Sequence, residues 1–281
     1  PKFKMPQVWK TSLALDYKFP TAFPFSITAE GIYNKTVNGV MISDWSLRPV
    51  EGFARLQGAD NRPMFPENPR TGLKAFVLEN TNKGYGYQAS VTVNMAPVKG
   101  LNIMAAYTHS ASKEITSMPG SNAESAFTYV PTVNGPNNIS LHNAINVTPD
   151  RAIANVTYSD PANNHFSIIY EAWRGGYNYS YMLANDMNGD GYNYDALYIP
   201  TDAQVGDGTT GEFRFVNEDN AKRFLDYVHG NKYLSKNQGK YAEAYSVYSP
   251  WVHRLDFSYK HDFKIRAGKQ MNTIQLSFDL K

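Results

Sequence analysis

Hydrophobic and polar residues alternate with period two along four separate stretches of the chain, and each stretch reads as two strands joined by a turn. In the first, over about 7–34, Trp9, Leu13, Leu15, Tyr17 and Phe19 share one phase while Lys10, Ser12, Asp16 and Lys18 share the other. The chain returns with Phe25, Ile27, Ala29 and Tyr33 against Ser26, Thr28, Glu30 and Asn34. The second, over about 85–110, sets Tyr85, Tyr87, Ala89, Val91, Val93 and Met95 against Gln88, Ser90, Thr92 and Asn94, and returns with Leu101, Ile103, Ala105 and Tyr107. The third, over about 151–174, pairs Ala152, Ala154, Val156 and Tyr158 with Phe166, Ile168, Tyr170 and Ala172; Ile169 and Trp173 interrupt its polar stripe. The fourth, over about 251–281, alternates Leu255, Phe257, Tyr259 and Phe263 with Arg254, Asp256, Ser258, Lys260 and Asp262, and returns through Ile274, Leu276, Phe278 and Leu280.

Eight strands of about nine to thirteen residues follow from this pattern. Soluble sheets favour strands of roughly five or six residues, whereas a tilted strand crossing a bilayer needs about 9 to 11. The connections alternate too. Short turns near 20–23, 96–100 and 160–165 separate long segments at about 35–84, 111–150 and 175–250, and the fourth turn, near 264–271, is expected to be longer than the other three. Short turns on one side and long loops on the other are the asymmetry of outer-membrane barrels, whose long loops face outward. Lys10, Lys18 and Lys260 would each cost about 2 to 4 kcal/mol at the lipid midplane, so their stripe is expected to face a wet interior. The expected fold is all-β: a transmembrane antiparallel β-barrel segment.

Composition adjusts this picture only slightly. No run approaches the roughly 18 apolar residues of a membrane helix, and mean hydropathy is −0.47. Twenty tyrosines and 15 phenylalanines suit strands and interfacial aromatic belts. A net charge of +2, with 27 basic residues scattered among 25 acidic ones, argues against a nucleic-acid partner. There is no cysteine, which removes disulfides and thiol chemistry. The opening Pro1-Lys2-Phe3-Lys4 is no export signal, and the chain ends within an alternating segment without a terminal aromatic, so it is expected to be incomplete at both ends.

Several junctions resemble TonB-dependent outer-membrane transporters of the Bacteroidetes type that carry an N-terminal carboxypeptidase-regulatory-like domain. The resemblance rests on Lys4-Met5-Pro6-Gln7-Val8-Trp9-Lys10, Gly58-Ala59-Asp60-Asn61-Arg62-Pro63, and Pro131-Thr132-Val133-Asn134-Gly135-Pro136-Asn137-Asn138. Pro149-Asp150-Arg151, Asn188-Gly189-Asp190-Gly191, Lys232-Tyr233-Leu234-Ser235-Lys236 and Pro250-Trp251-Val252-His253-Arg254-Leu255-Asp256 add to it. It implies the later strands of a barrel of about 22 strands, filled by a plug and driven by TonB through an N-terminal region that lies outside these residues. It further implies a place in the bacterial outer membrane, contact with its lipid, and import of a nutrient such as a peptide or glycan. A non-transporting surface barrel and a secreted soluble β-sandwich are the alternatives.

Two constellations could carry ligand chemistry. Asp186, Asn188, Asp190 and Asp195 place alternating oxygens around Gly191 as at the start of a calcium loop, although the twelfth position is Leu197 where an EF-hand has Glu; an ordinary polar loop is the alternative. Tyr177, Tyr179, Tyr181, Tyr192 and Tyr194, with Tyr198, offer aromatic faces to a sugar or peptide, or else form an interfacial girdle. The six histidines show no HExxH spacing, Glu30 and Glu171 read as lumen-lining charge, and neither a Gly-x-Ser-x-Gly elbow nor a phosphate-binding glycine loop is present, so no enzyme is expected.

Overall fold

The structure is a computed structural model that describes residues 2–66, 73–116, 118, 120–176 and 178–281. Its long strands are β1 (Gln7–Lys18), β2 (Phe25–Asp44), β4 (Tyr85–Met95), β5 (Leu101–Glu114), β7 (Asp150–Ser159), β8 (Asn164–Arg174), β13 (Trp251–Ala267) and β14 (Gln270–Leu280). Six shorter strands are β3 (Phe76–Thr81), β6 (His142–Asn143), β9 (Met182–Leu183), β10 (Asp195–Ala196), β11 (Tyr198–Ile199) and β12 (Lys240–Tyr241). Among the described residues four helices occur in the connections: α1 (Ala123–Thr128), α2 (Asp202–Val205), α3 (Glu218–Gly230) and α4 (Lys232–Lys236).

The eight long strands form one antiparallel meander in the order β1-β2-β4-β5-β7-β8-β13-β14, with β3 added beside the outer end of β2 and β6 beside β5. The protein is thus mostly antiparallel sheet. Among the described residues the sheet is open: β1 pairs only with β2, and β14 only with β13.

Register keeps each apolar stripe in phase with the next. One cross-strand row runs Leu15, Ala29, Val91, Tyr107, Ala152, Ala172 and His253. Another joins Val156, Ile168, Phe257 and Leu280. The opposite face carries rows such as Asp16-Thr28-Thr92 and Ser167-Ser258-Asp279. A slip of one residue would carry polar-face side chains such as Lys10, Glu30, Glu171, Lys260 and Asp279 into the apolar face, and this fixes the pairing.

Two details depart from the alternation pattern. β2 runs on to Asp44, ten residues beyond its expected end, because β3 supplies hydrogen-bond partners for Gly39–Asp44. The fourth turn is the shortest of the four, not the longest: Ile265 and Arg266 continue the alternation of β13, and only Gly268 and Lys269 separate the strands. Gly268 sits at φ +64, the left-handed conformation that a two-residue hairpin turn requires and that a side chain resists.

The three long connections do not hang loose. Segments 45–66, 115–149 and 175–250 pack together as a cap at one end of the sheet. The three clusters of buried hydrophobic side chains among the described residues lie there, built around Phe127 and Tyr192 with Ile42 from the end of β2, around Val130 and Tyr245, and around Ile199, Val228 and Leu234. Backbone bonds stitch the segments together, from Thr132 N–H to the Tyr194 carbonyl and from Phe65 N–H to the Asn188 carbonyl.

Candidate functional site

The cap is organised by two buried polar nodes. The Gly58–Pro63 turn delivers Arg62, fully buried, between two carboxylates. Its Nε and Nη2 donate to Asp60 at 2.9 and 3.0 Å, Nη2 also donates to the Ala196 carbonyl, and Nη1 lies 2.9 Å from Asp195 Oδ1 as an ion pair without a good hydrogen-bond angle. Tyr241 lies under the guanidinium, 5.6 Å from its ring centre, and donates its hydroxyl to Asp60. Burial pulls the Arg62 pKa down, but Asp60 and Asp195 outweigh it and hold the group above its ordinary value. Burial, then Asp60, pushes the Tyr241 hydroxyl up to about 12. The node fastens segment 45–66 to segment 175–250.

The second node is Asp44, at the cap end of β2 and almost fully buried. Its Oδ1 accepts from the N–H groups of Ser46 and Ala75 and from the Ser46 hydroxyl, and its Oδ2 from the Tyr192 hydroxyl at 2.8 Å. Asn137 bonds both its N–H and its carbonyl. The end of the sheet is thereby tied to all three cap segments.

The Asp186–Asp195 segment folds as a tight turn read from its own side chains. Asp186 accepts from the N–H groups of Gly189, Asp190 and Gly191, Asn188 from Asp190, and Asp190 from Tyr192. Gly189 and Gly191 take φ of +78 and +87, which the reversal needs. Asp195 is turned elsewhere: one oxygen faces Arg62 and the other accepts the Met187 N–H. Burial raises Asp190 to about 7, with Asp186 and Asp195 adding to the rise. Asp186, Asn188 and Asp190 therefore share one turn, while the fourth expected calcium ligand is committed to a guanidinium. Among the described residues no group of three or more His, Cys, Asp or Glu side chains is gathered to hold a metal ion.

The tyrosine cluster divides. Tyr177 lies outside the described residues. Tyr179 is exposed, and its backbone pairs with Val247. Tyr181 accepts from Asn231, bonds the Tyr227 hydroxyl and stacks on Tyr233, and burial helps raise it to about 12. Tyr194 lies against Tyr129 with ring centres 5.0 Å apart. Tyr192 corrects the expectation of an open aromatic face: it is buried against Phe127, because the preceding turn points it inward to Asp44. Tyr198 is likewise buried, stacked on Phe213.

A cavity of about 410 Å³ opens among the cap segments, lined by Arg55, Thr132, Asn138, His142, Tyr241 and Glu243 among others. Its polar side chains and half-buried Tyr241 suit a small polar ligand. His142 is 2 % exposed. Nδ1 lies 2.8 Å from the Asn143 carbonyl, so it carries the proton; burial lowers the pKa, and the neutral ring leaves Nε2 as an acceptor. A second cavity, of about 670 Å³, lies at the opposite end on the polar face, beneath the turn after β1, and includes Lys18, Phe23, Asn94, Asn102 and Asn155.

Sequence reasoning missed both nodes. The Gly58–Pro63 motif contributes to the resemblance, yet nothing in its spacing says that Arg62 is buried against Asp195, more than 130 residues away. No protein-family model, curated protein or solved structure matches the chain.

Proposed function

We propose that the chain forms eight strands of an outer-membrane β-barrel whose outward cap captures a nutrient for TonB-coupled import. One observation carries the membrane part: a sheet of long strands with one apolar face, one polar face and, among the described residues, no second layer on the apolar side. Leu13 is 81 % exposed, and Leu15, Leu255 and Leu276 are each above 60 %. So large an apolar surface needs an apolar environment.

The aromatic residues mark the limits of that environment. Trp9 and Tyr17, Phe25 and Tyr33, and Trp251 and Tyr259 each stand eight residues apart in one phase. At 3.3 Å per residue this is about 26 Å along the strand, or about 20 Å along the membrane normal at a tilt of roughly 40°, which sets the paired rings near the two borders of the roughly 25 Å apolar band of outer-membrane barrels. The polar face carries Arg151 bonded to Glu171, and Arg254 bonded to Asp256, charges that suit a wet lumen. The capture role is supported by the cap cavity, and TonB coupling by the resemblance of the junction motifs.

The test is cellular fractionation after export. The reading expects recovery with the outer membrane, release only by detergent, and a gel shift on boiling. Recovery as a soluble periplasmic or secreted protein would overturn it.

A further inference from the structure

The apolar face carries charge at one end only. In the eight long strands, the Asp, Glu, Lys and Arg side chains in its phase are Lys35 on β2, Lys113 on β5, Asp150 on β7 and Arg174 on β8, all at the cap end. Two of them answer each other. Asp150 accepts the Tyr107 hydroxyl at 2.6 Å, bonds His109 at 2.9 Å and faces Arg174 at 3.7 Å, while Arg174 also stands over the Tyr248 ring.

Lys35 and Lys113 are left with less. Lys35 has no ion-pair partner among the described residues, and Lys113 has only Glu243, at 3.5 Å with a carboxylate 60 % exposed. Register places them in one cross-strand row, Trp9-Lys35-Tyr85-Lys113. Strands spaced about 4.8 Å apart put the two lysine Cα atoms about 10 Å from each other, with Tyr85 between them. The next row toward the sheet centre is Tyr33-Tyr87. The lysines thus stand at the level of the aromatic belt.

We infer that Lys35, Tyr85 and Lys113 form a site for the phosphate of a lipid headgroup in the outward leaflet, an inference that rests on the barrel reading above. An ammonium group on a lipid-facing strand is costly at the midplane and tolerated at the interface, where its stem lies along apolar surface and its head reaches polar groups. Two such heads flanking a phenol hydroxyl match one phosphate: two cations and a hydrogen-bond donor, beside the Trp9 ring for the adjoining glycerol or sugar. Glu243 opposes the anion, but its exposure leaves it free to swing toward water.

The test uses the full chain reconstituted in phosphatidylcholine vesicles, with or without about one lipid in five replaced by phosphatidic acid. Native mass spectrometry counts the retained phosphatidic acid. The expected result is retention by the native chain that falls at least tenfold in K35Q/K113Q, weakens with added salt, and is unchanged in K10Q/K18Q, whose lysines lie on the other face. Equal retention by K35Q/K113Q, or equal loss in K10Q/K18Q, would overturn the site. Displacement of the lipid by millimolar inorganic phosphate would also overturn it, by showing a simple anion site. If the native chain does not enter vesicles, the barrel reading falls as well; if it enters and shows no preference, only this site falls.

Discussion

In the sheet, Leu13, Val91 and Leu276 are exposed while their backbones lie in an unbroken hydrogen-bonded ladder; in the cap, Phe127, Ile199 and Val228 are at most 2 % exposed on short helices and a two-residue strand set among loops. The two regions bury their apolar surface by different means. The cap makes its interior from three segments distant in sequence, whereas among the described residues no segment covers the apolar face of the sheet. Regular strands are therefore compatible with a missing core when the surroundings supply one, and loops are compatible with a core when charged nodes fasten them. The two regions should respond to different perturbations, and this can be tested.

The largest effect is expected from Arg62→Ala. It leaves Asp60 and Asp195 buried without a counter-charge, and breaking such a pair costs about 3–5 kcal/mol. Hydrogen exchange should show faster exchange at cap amides such as Ala196 and Ala242, with β1 and β4 amides still protected. Equal loss of protection in strand and cap would make the molecule one cooperative unit and break the comparison.

The sheet is probed by adjacent residues on opposite faces. Val91→Arg places a charge in the middle of the apolar face, where a lipid setting makes it cost about 2–4 kcal/mol, whereas Thr92→Arg on the polar face should cost little. Urea unfolding in lipid bilayers measures both. Similar costs for the two variants would remove the distinction between lipid-facing and lumen-facing sides.

These contrasts also explain what could be read from the chain. A strand face repeats every two residues, so Leu13, Leu15 and Tyr17 announce their shared side locally, and antiparallel hairpins pair neighbours in sequence. Even there, Gly268 concealed its role until its φ was known, and the extension of β2 depended on β3. The cap obeys no period. Ile42 meets Phe127 and Tyr192, and Arg62 meets Asp195, through chain separations that no local pattern encodes. The Asp186–Gly191 motif was legible as oxygens alternating around a Gly191 turn, a calcium loop or an ordinary polar loop; that these oxygens accept the turn's own N–H groups was not, nor that Asp195 serves Arg62, because the competing cation comes from another segment.

His142 gives the smallest and most specific test. It is buried against Tyr245 with ring centres 5.3 Å apart, beside the cluster of Val130 and Ile145. Burial lowers its pKa below the ordinary 6.5, so the unfolded chain takes up a proton before the folded one does. The neutral ring's contribution is therefore complete above pH 6.5 and is lost as pH falls through the lower folded value. His142→Gln keeps a donor for the Asn143 carbonyl but cannot titrate. The variant should melt below the native chain at pH 7.5, with the gap narrowing on acidification to pH 5. Other titrating groups, Asp190 among them, cancel in this difference. A gap independent of pH would mean that His142 is not held neutral, and the cap cavity would lose its bare acceptor. A gap that closes together with a selective rise in exchange at cap amides near Asn143, and none in the strands, would confine the proton's effect to the cap.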